Sequence, residues 1–391
     1  MRSIPRGVAP PHPTIRVRSA IALLLGLCLW AAGCSPTLVS GPDHGPDGGG
    51  GGGGSDAGGG GGDAAVVSLD PTPGRYRGAC DGSGAVALGF THFLSLSDED
   101  QVARVYARGA AGSPVQTFQL ASALGVSTDA EVDLEDAARV GDRMYAISSH
   151  GRTNSGDLDP VRYRFVAIEL AGQAPGVSLT VAASRARLLS DLLDSSRWLT
   201  PNPTILSALQ AATRLDLQSA PSLAPKEQGL NFEGLARAPL AGAPERLVIG
   251  LRNPRPAGRA IAVSLMNPAE LAAGGAARFG EATELDLGGL GIRGMAWSDA
   301  ARAVYLLAGP HDAAAGPFRL YRWSGAPGAP VVLARELTVP AGAHPEAIVA
   351  YPGTADLQIL FDADDVVLGG TTCKDGAAAD REYGDLIVQA P

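Results

Sequence analysis

Asn231–Arg237, NFEGLAR, followed after a turn by Leu247–Pro254, LVIGLRNP, is the stretch that decides the fold. A carboxylate stands beside a glycine at the start of one apolar strand. A second apolar strand returns and ends on Arg252 and Asn253. Weaker copies of this unit recur along the chain. Glu135-Asp136-Ala137-Ala138 precedes RMYAISS, Arg293-Gly294-Met295-Ala296 precedes AVYLLAG, and Glu346-Ala347-Ile348-Val349 precedes LQILFDADD. A degenerate first copy, Asp81-Gly82-Ser83-Gly84-Ala85, precedes HFLSLSDED. The starts lie 54, 98, 60 and 53 residues apart. A period of about 50 residues, filled with short strands, is the signature of a four-stranded propeller blade. The expected fold is an all-β propeller of five or six blades.

Other strands fit that period. Ala85–Leu88, His92–Leu96, Arg143–Ser148, Arg162–Leu170, Arg246–Leu251, Ala260–Leu265, Ala303–Leu307, Phe318–Trp323 and Leu357–Phe361 are short apolar or alternating runs between turn residues. The 98-residue gap holds either a sixth, eroded blade or an insertion. Insertion is favoured. Ala186–Leu217 has few β-branched residues, and Pro203–Ala212 (PTILSALQAA) spaces its apolar residues as a helix does. A helical insertion near 186–217 is therefore expected beside the propeller.

The N-terminus reads as an export signal. Arg2, Arg6, Arg16 and Arg18 make a basic, acid-free start, and Ala20–Ala32 is an apolar run of 13 residues, too short to span a bilayer comfortably. It ends in Ala31-Ala32-Gly33-Cys34, which resembles the lipobox of bacterial lipoproteins, with Ala31 where leucine is usual. That resemblance implies cleavage before Cys34 and lipidation of its thiol. The alternative is an ordinary signal peptide with an unrelated cysteine. Gly41–Gly62 contains 14 glycines and little to bury, so it reads as a tether. The expected organisation is a signal peptide over 1–33, a glycine-rich tether over 34–70 and a propeller over 71–391.

The expected location is extracytoplasmic and membrane-anchored, at the outer membrane or cell surface, because Ser35 and not aspartate follows the cysteine. Without the leader, Lys+Arg falls from 31 to 27 against 40 acids, a net charge of about −13. Such a balance excludes a general affinity for nucleic acid or an anionic membrane surface. Membrane contact is expected through the N-terminal lipid alone. Cys80 and Cys373 remain near the two ends of the folded part. In an oxidising compartment they form a candidate disulfide, with two free thiols as the alternative.

In an antiparallel blade the first strand starts, and the second ends, on the same face. That face collects Glu135, Glu233, Arg293 and Glu346 from strand starts. His150, Arg152, Asn154, Arg252 and Asn253 come from the ends of second strands. Glu135, Glu233 and Glu346 can hold Ca²⁺ or another divalent cation through oxygen. Arg152, Arg252 and Arg293, with Asn154 and Asn253, suit an anionic ligand. His150, Arg152 and Arg252 are the catalytic candidates, with His150 as base. Against this stand an ion-pair network in which Arg293 neutralises the glutamates, and a turn-stabilising role for His150. His92 and His344 read as structural. The chain has no His-Glu-x-x-His, no Cys-x-x-Cys and no Gly-x-Ser-x-Gly.

DLEDAARVGDRMYAISSHGR, NFEGLA with LVIGLRNP, GLGIRGMAW with FRLYRWSG, and HPEAIVA resemble the bacterial DUF3616 family in order. The resemblance covers Cys80 to the C-terminus and supports the fold while implying no activity. The Glu-Gly-Leu-Ala element is also similar to one in esterase-like phytase propellers. Asp136 stands where the family's pattern has glycine, which puts a close backbone approach there in question. The functional expectation is a channel-mouth site for a small anionic molecule, in its most specific form a metal-dependent hydrolase of a phosphoester or lactone. The alternative is a non-catalytic scaffold for an envelope protein.

Overall fold

Apolar side chains that alternate along a strand bury on one face. Where both faces are covered, the strand reads as a continuous apolar run. LVIGL is such a run. Leu247, Ile249 and Leu251 enter one core, and Val248 enters the next. The same holds for AVYLLAG, where Val304 and Leu306 face one core and Tyr305 and Leu307 the other. Each strand is sandwiched between neighbouring blades, as a ring of radially packed sheets requires.

The computed structural model describes residues 72–390. The expected signal peptide, Cys34 and the whole of the tether over 34–70 lie outside the described residues. Strand β1 (Thr72–Arg77) comes first in the chain and closes the ring last. Blade one is β2 (Gly84–Leu88), β3 (His92–Leu96), β4 (Val102–Ala107) and β5 (Gln116–Gln119). Blade two is β6 (Leu134–Val140), β7 (Arg143–Ser148), β8 (Phe165–Ala171) and β9 (Ser178–Arg185). Blade three is β10 (Asn231–Arg237), β11 (Leu247–Asn253), β12 (Ala260–Leu265) and β13 (Phe279–Leu285). Blade four is β14 (Gly291–Ser298), β15 (Ala303–Gly309), β16 (Phe318–Trp323) and β17 (Val331–Leu337). Blade five starts with β18 (His344–Ala350) and β19 (Asp356–Asp362). After a small hairpin of β20 (Val367–Leu368) and β21 (Thr371–Thr372), β22 (Glu382–Gln389) pairs with β19. The propeller therefore has five blades.

The long gap is an insertion. After the short turn α1 (Ala121–Leu124) in blade one, the chain between blades two and three forms α2 (Leu188–Leu192) and α3 (Pro203–Thr213). Asn202 starts α3. Its side-chain oxygen accepts from the amides of Thr204 at 3.0 Å and Ile205 at 3.3 Å, and Pro203 occupies the first turn. Leu188, Leu192, Ile205 and Leu209 then join the core that blades two and three share.

β1 supplies the outer strand of blade five, antiparallel to β22. Tyr76 donates its hydroxyl to Asp385 at 3.0 Å, and Gln358 of β19 donates to both, at 2.7 and 2.6 Å. This buried trio spans three strands of the closing blade. Beside it, Cys80 and Cys373 form a disulfide with Cα atoms 5.8 Å apart, across a sequence separation of 293. Both devices hold the start of the domain against its end, so no inner sheet edge is left open.

A cross-link over so long a loop restricts the unfolded chain strongly. Replacing both Cys80 and Cys373 by serine is expected to lower the unfolding free energy by about 3–5 kcal/mol. A urea titration checks this, with the native circular dichroism unchanged. Equal midpoints for the oxidised parent and the double variant would show that β1–β22 pairing alone sets the strength of closure.

Candidate functional site

Pairing between the first and second strands breaks at the same point in four blades. The breaks fall between Leu134 and Asp136, Phe232 and Gly234, Ile292 and Gly294, and Pro345 and Ala347. The residues left out of register are Glu135, Glu233, Arg293 and Glu346. A bulge inserts one residue and re-aims its side chain. Here it takes a charge off the apolar blade faces and turns it to the mouth of the channel.

Three of these residues meet. Arg293 Nε lies 3.3 Å from Glu233 Oε2, and its Nη2 donates to Glu346. Arg252 donates to Glu233 Oε1 at 2.7 Å, and Asn231 donates to the same oxygen at 2.6 Å. Burial works against the Arg293 charge, but Glu233 and Glu346 outweigh it and raise its pKa. Blades three, four and five are thereby tied at their inner ends. Burial also moves the Glu346 carboxyl up to about 7, with Arg293 pulling down and Glu233 pushing up.

On the other side of the mouth Arg162 pairs with Asp133 and Glu131, and Lys374 with Asp364 and Glu99, which leaves Glu135 without an ion pair among the described residues. Glu135 is 9% exposed and accepts no hydrogen bond among the described residues. Burial raises its proton affinity well above the usual range, and the charges of Asp133, Glu233 and Glu346 add to this. Asp98 is raised in the same way by burial and then by Asp81 and Glu135. Asp362 is raised by burial and then by Glu346 and Asp364. Asp81 is held by the hydroxyls of Ser97 at 2.7 Å and Ser83 at 2.9 Å. Asp133 has a partner in Arg162 at 2.9 Å, yet burial still moves it up to about 6. The mouth is thus half neutralised and half acidic.

Behind the charged residues the innermost strands press together. A Cβ on Gly84 would lie 2.9 Å from Asp136 Cα, and one on Gly294 would overlap the Glu346 carbonyl oxygen. Glycine is needed at those two places. Asp136 meets the same constraint differently. Its carboxylate accepts from the amides of Leu235 at 2.6 Å, Met295 at 3.1 Å and Ala137 at 2.7 Å. One buried side chain therefore links the inner strands of blades two, three and four. Burial raises its pKa well above the usual range, against the three amides. The departure from glycine was visible in the sequence, but its role as a bridge was not.

Beyond Asp136, toward the other end of the channel, lies a chamber of about 760 Å³. Ala87, Ala138, Ala236, Ala296 and Ala350 line it, one from each blade. Small residues leave this part of the channel open.

The remaining candidates stand as follows. Asn253 is buried and donates to the carbonyl of Pro225 at 3.1 Å. Arg252 also donates to the Asp312 carbonyl at 2.9 Å. Arg152, expected beside Arg252, instead caps the insertion. Its guanidinium donates to the carbonyls of Thr213, Arg214 and Leu217 at 3.0, 2.7 and 2.8 Å, at the end of α3. A helix end leaves carbonyls unpaired, and a buried cation satisfies them. His150, expected as a base, is buried between the rings of Phe232 and Tyr163, with Nδ1 2.7 Å from the Ser148 carbonyl. Burial lowers its pKa to about 4. Its backbone has φ of 53°, so it occupies a left-handed turn. Asn154 sits exposed in the turn that follows. Among the described residues, no three His, Cys, Asp or Glu side chains converge as for a metal ion. Arg293 stands between Glu233 and Glu346, where the sequence reading had placed a cation.

Residues 158–363 match the family described as protein of unknown function (DUF3616), and the chain belongs to that family. No curated protein matches it. Among solved structures it is similar to Myxococcus xanthus glutaminyl cyclase, at 11% identity over 82% of this chain and 96% of that one, with a TM-score of 0.39. It is also similar to an exo-β-1,3-galactanase from Phanerochaete chrysosporium, at 8% identity over 81% of this chain and 60% of that one, with a TM-score of 0.40. Likenesses this distant carry no argument about chemistry.

Asp136→Ala would leave the amides of Leu235 and Met295 buried without an acceptor. At about 1–3 kcal/mol for each orphaned group, a loss of about 2–6 kcal/mol is expected. Asp136→Asn keeps one carbonyl oxygen for those amides and should cost less. Urea denaturation of both variants checks the order, and equal losses would show that the bridge is not what Asp136 contributes.

Proposed function

We propose that this DUF3616 propeller binds a small organic cation, a primary ammonium on a compact molecule, at the acidic side of its channel mouth. The observation that carries the proposal is Glu135, a buried carboxylate without a hydrogen-bond donor among the described residues, where burial and the charges of Asp133, Glu233 and Glu346 outweigh the opposing charge of Arg293. A buried ionised carboxylate without a partner is unfavourable, and either a proton or a cation relieves it. An ammonium carries three donors on a compact head and can reach carboxylates that do not converge on one point. A bare Ca²⁺ ion needs about 6–8 oxygens at about 2.3–2.6 Å from one centre. Glu233 and Glu346 are committed to Arg293, so the set of Glu135, Glu233 and Glu346 fits that requirement poorly.

The anionic alternative has fewer donors to draw on. Arg252 and Arg293 are held by Glu233, and Arg152 by the end of α3. Hydrolysis of a phosphoester or lactone with His150 as base lacks an accessible imidazole. The proposal places the domain outside the cytoplasm on its lipid anchor, following the lipobox-like Ala31–Cys34. A second reading, a scaffold for an envelope protein, draws on Val332 and Leu333. Both are exposed on β17, the free outer edge of blade four, where a partner strand could add.

The test is titration calorimetry with butylammonium, calcium and inorganic phosphate, each at two pH values. Butylammonium is expected to bind, more tightly at pH 8 than at pH 6, because Glu346 releases its proton at about 7. Glu135→Gln should weaken it at least about tenfold. Binding of phosphate without butylammonium would restore the anionic reading, and binding of calcium alone would restore the metal.

Stability gives an independent check. A carboxyl whose folded pKa is raised binds more protons folded than unfolded, so stability falls as pH rises through the folded value. Glu346 spans the window from about 4.5 to about 7. His150 and His344, both lowered to about 4, act oppositely and remove stability as pH falls below about 6.5. Between about pH 5 and 7 the parent should therefore lose more melting temperature than Glu346→Gln, a comparison in which the histidines cancel. Equal slopes for the two proteins would contradict the raised carboxyl.

A further inference from the structure

We infer that the chamber at the other end of the channel is a second binding site, for an amphipathic organic anion with a carboxylate or sulfonate head and an apolar body. Its volume of about 760 Å³ lies within the range of about 300–1,000 Å³ typical of small-molecule sites. The chamber exists because each innermost strand places alanine there, and those methyl groups offer apolar contact to a ligand's body.

The rim says what else that ligand carries. Trp297 is half-buried, and its indole donates to Asp299 at 2.7 Å, which fixes the ring at the opening. Phe90 is 60% exposed on the same rim. A fixed indole and an exposed phenyl group offer faces for an apolar or planar body. Arg237 stands beside them. Its Nη1 lies 3.4 Å from Asp299, whose side chain is 63% exposed, and its buried Nε has no hydrogen-bond partner. Arg139, on the neighbouring blade, donates to the Ala87 carbonyl at 3.1 Å. Its acidic neighbour Asp142 is 3.7 Å away and 91% exposed. Arg139 Nε also donates to the Gly141 carbonyl at 2.8 Å, so of the two guanidinium groups that border the chamber Arg237 has the more unused donors. A carboxylate or sulfonate head can accept from the guanidinium of Arg237, whose side chain is 33% exposed, whereas a neutral ligand leaves its charge without a partner beyond Asp299.

This site is distinct from the acidic mouth. Along the inner strands, the layer that Asp136 binds together lies between the bulged charges and the chamber. A ligand in one compartment is not expected to touch residues of the other.

Calorimetry of the purified domain with naphthoate and with the neutral isostere naphthamide tests the inference. Naphthoate should bind at least about tenfold more tightly than naphthamide. Arg237→Gln should bring naphthoate down to the affinity of naphthamide and leave naphthamide unchanged. Ala296→Leu, which narrows the chamber, should weaken both, and Glu135→Gln should alter neither. Arg139→Gln repeats the charge test on the neighbouring blade if Arg237→Gln folds poorly, as judged by its melting curve. The inference is overturned if naphthoate does not bind, if it binds no better than naphthamide, or if its affinity survives Arg237→Gln and Ala296→Leu.

Discussion

Five strands that start around one axis must bring their backbones into contact, and that crowding governs the centre of the molecule. Near the mouth there is no room for an ordinary side chain on Gly84 or Gly294, because the next inner strand is already there. A bulge just before that point solves a second problem. It removes a charged side chain from apolar blade faces, where it would cost several kcal/mol unpaired, and gives it to the channel. Charge followed by glycine, as in Glu233-Gly234 and Arg293-Gly294, is the sequence form of this paired solution. Asp136 keeps the bulge and replaces the glycine with a side chain long enough to reach two neighbouring strands.

The charges so gathered are not balanced evenly around the ring. Glu233 receives Arg252, Asn231 and Arg293, and Glu346 receives Arg293. A buried ion-pair network of this kind holds geometry more surely than it adds net stability, since desolvation offsets much of the attraction. Glu135 has no equivalent donor, and burial alone would drive it toward the protonated form. Within one ring the same residue type in the same register therefore does two things. Where an arginine reaches it, it fastens blades. Where none does, it remains available to a proton or a ligand.

Much of the fold was legible in the sequence because middle strands such as β11 and β15 are buried on both faces and read as unbroken apolar runs. Outer strands were less legible. β5, β9 and β17 are partly exposed, so their apolar signal is diluted, and β1 belongs to a blade whose other strands lie about 300 residues away, at a distance no local pattern encodes. The insertion was readable from its helical spacing. At the site, register located the bulged charges, because a repeat fixes which residues are equivalent. It could not show that Arg152 turns to the end of α3, or that His150 is enclosed by Phe232 and Tyr163, since both depend on the insertion's packing. The chamber was invisible for another reason. It is made by what five alanines lack, and a missing volume leaves no motif.

The two ends of the channel follow from one strand design. Four of the five inner strands begin with a charge at a bulge, and all five pass through a tightly packed layer and reach an alanine near their ends. Around the ring the starts create a crowded acidic mouth, and the ends create an alanine-lined chamber with arginines and aspartates at its rim. Asp136 separates them at the level where packing is tightest. Its three acceptor contacts would be lost if the inner strands spread, so opening the channel from one end to the other would expose a buried carboxyl and orphan the amides of Leu235 and Met295. The structure therefore favours two closed compartments over a pore.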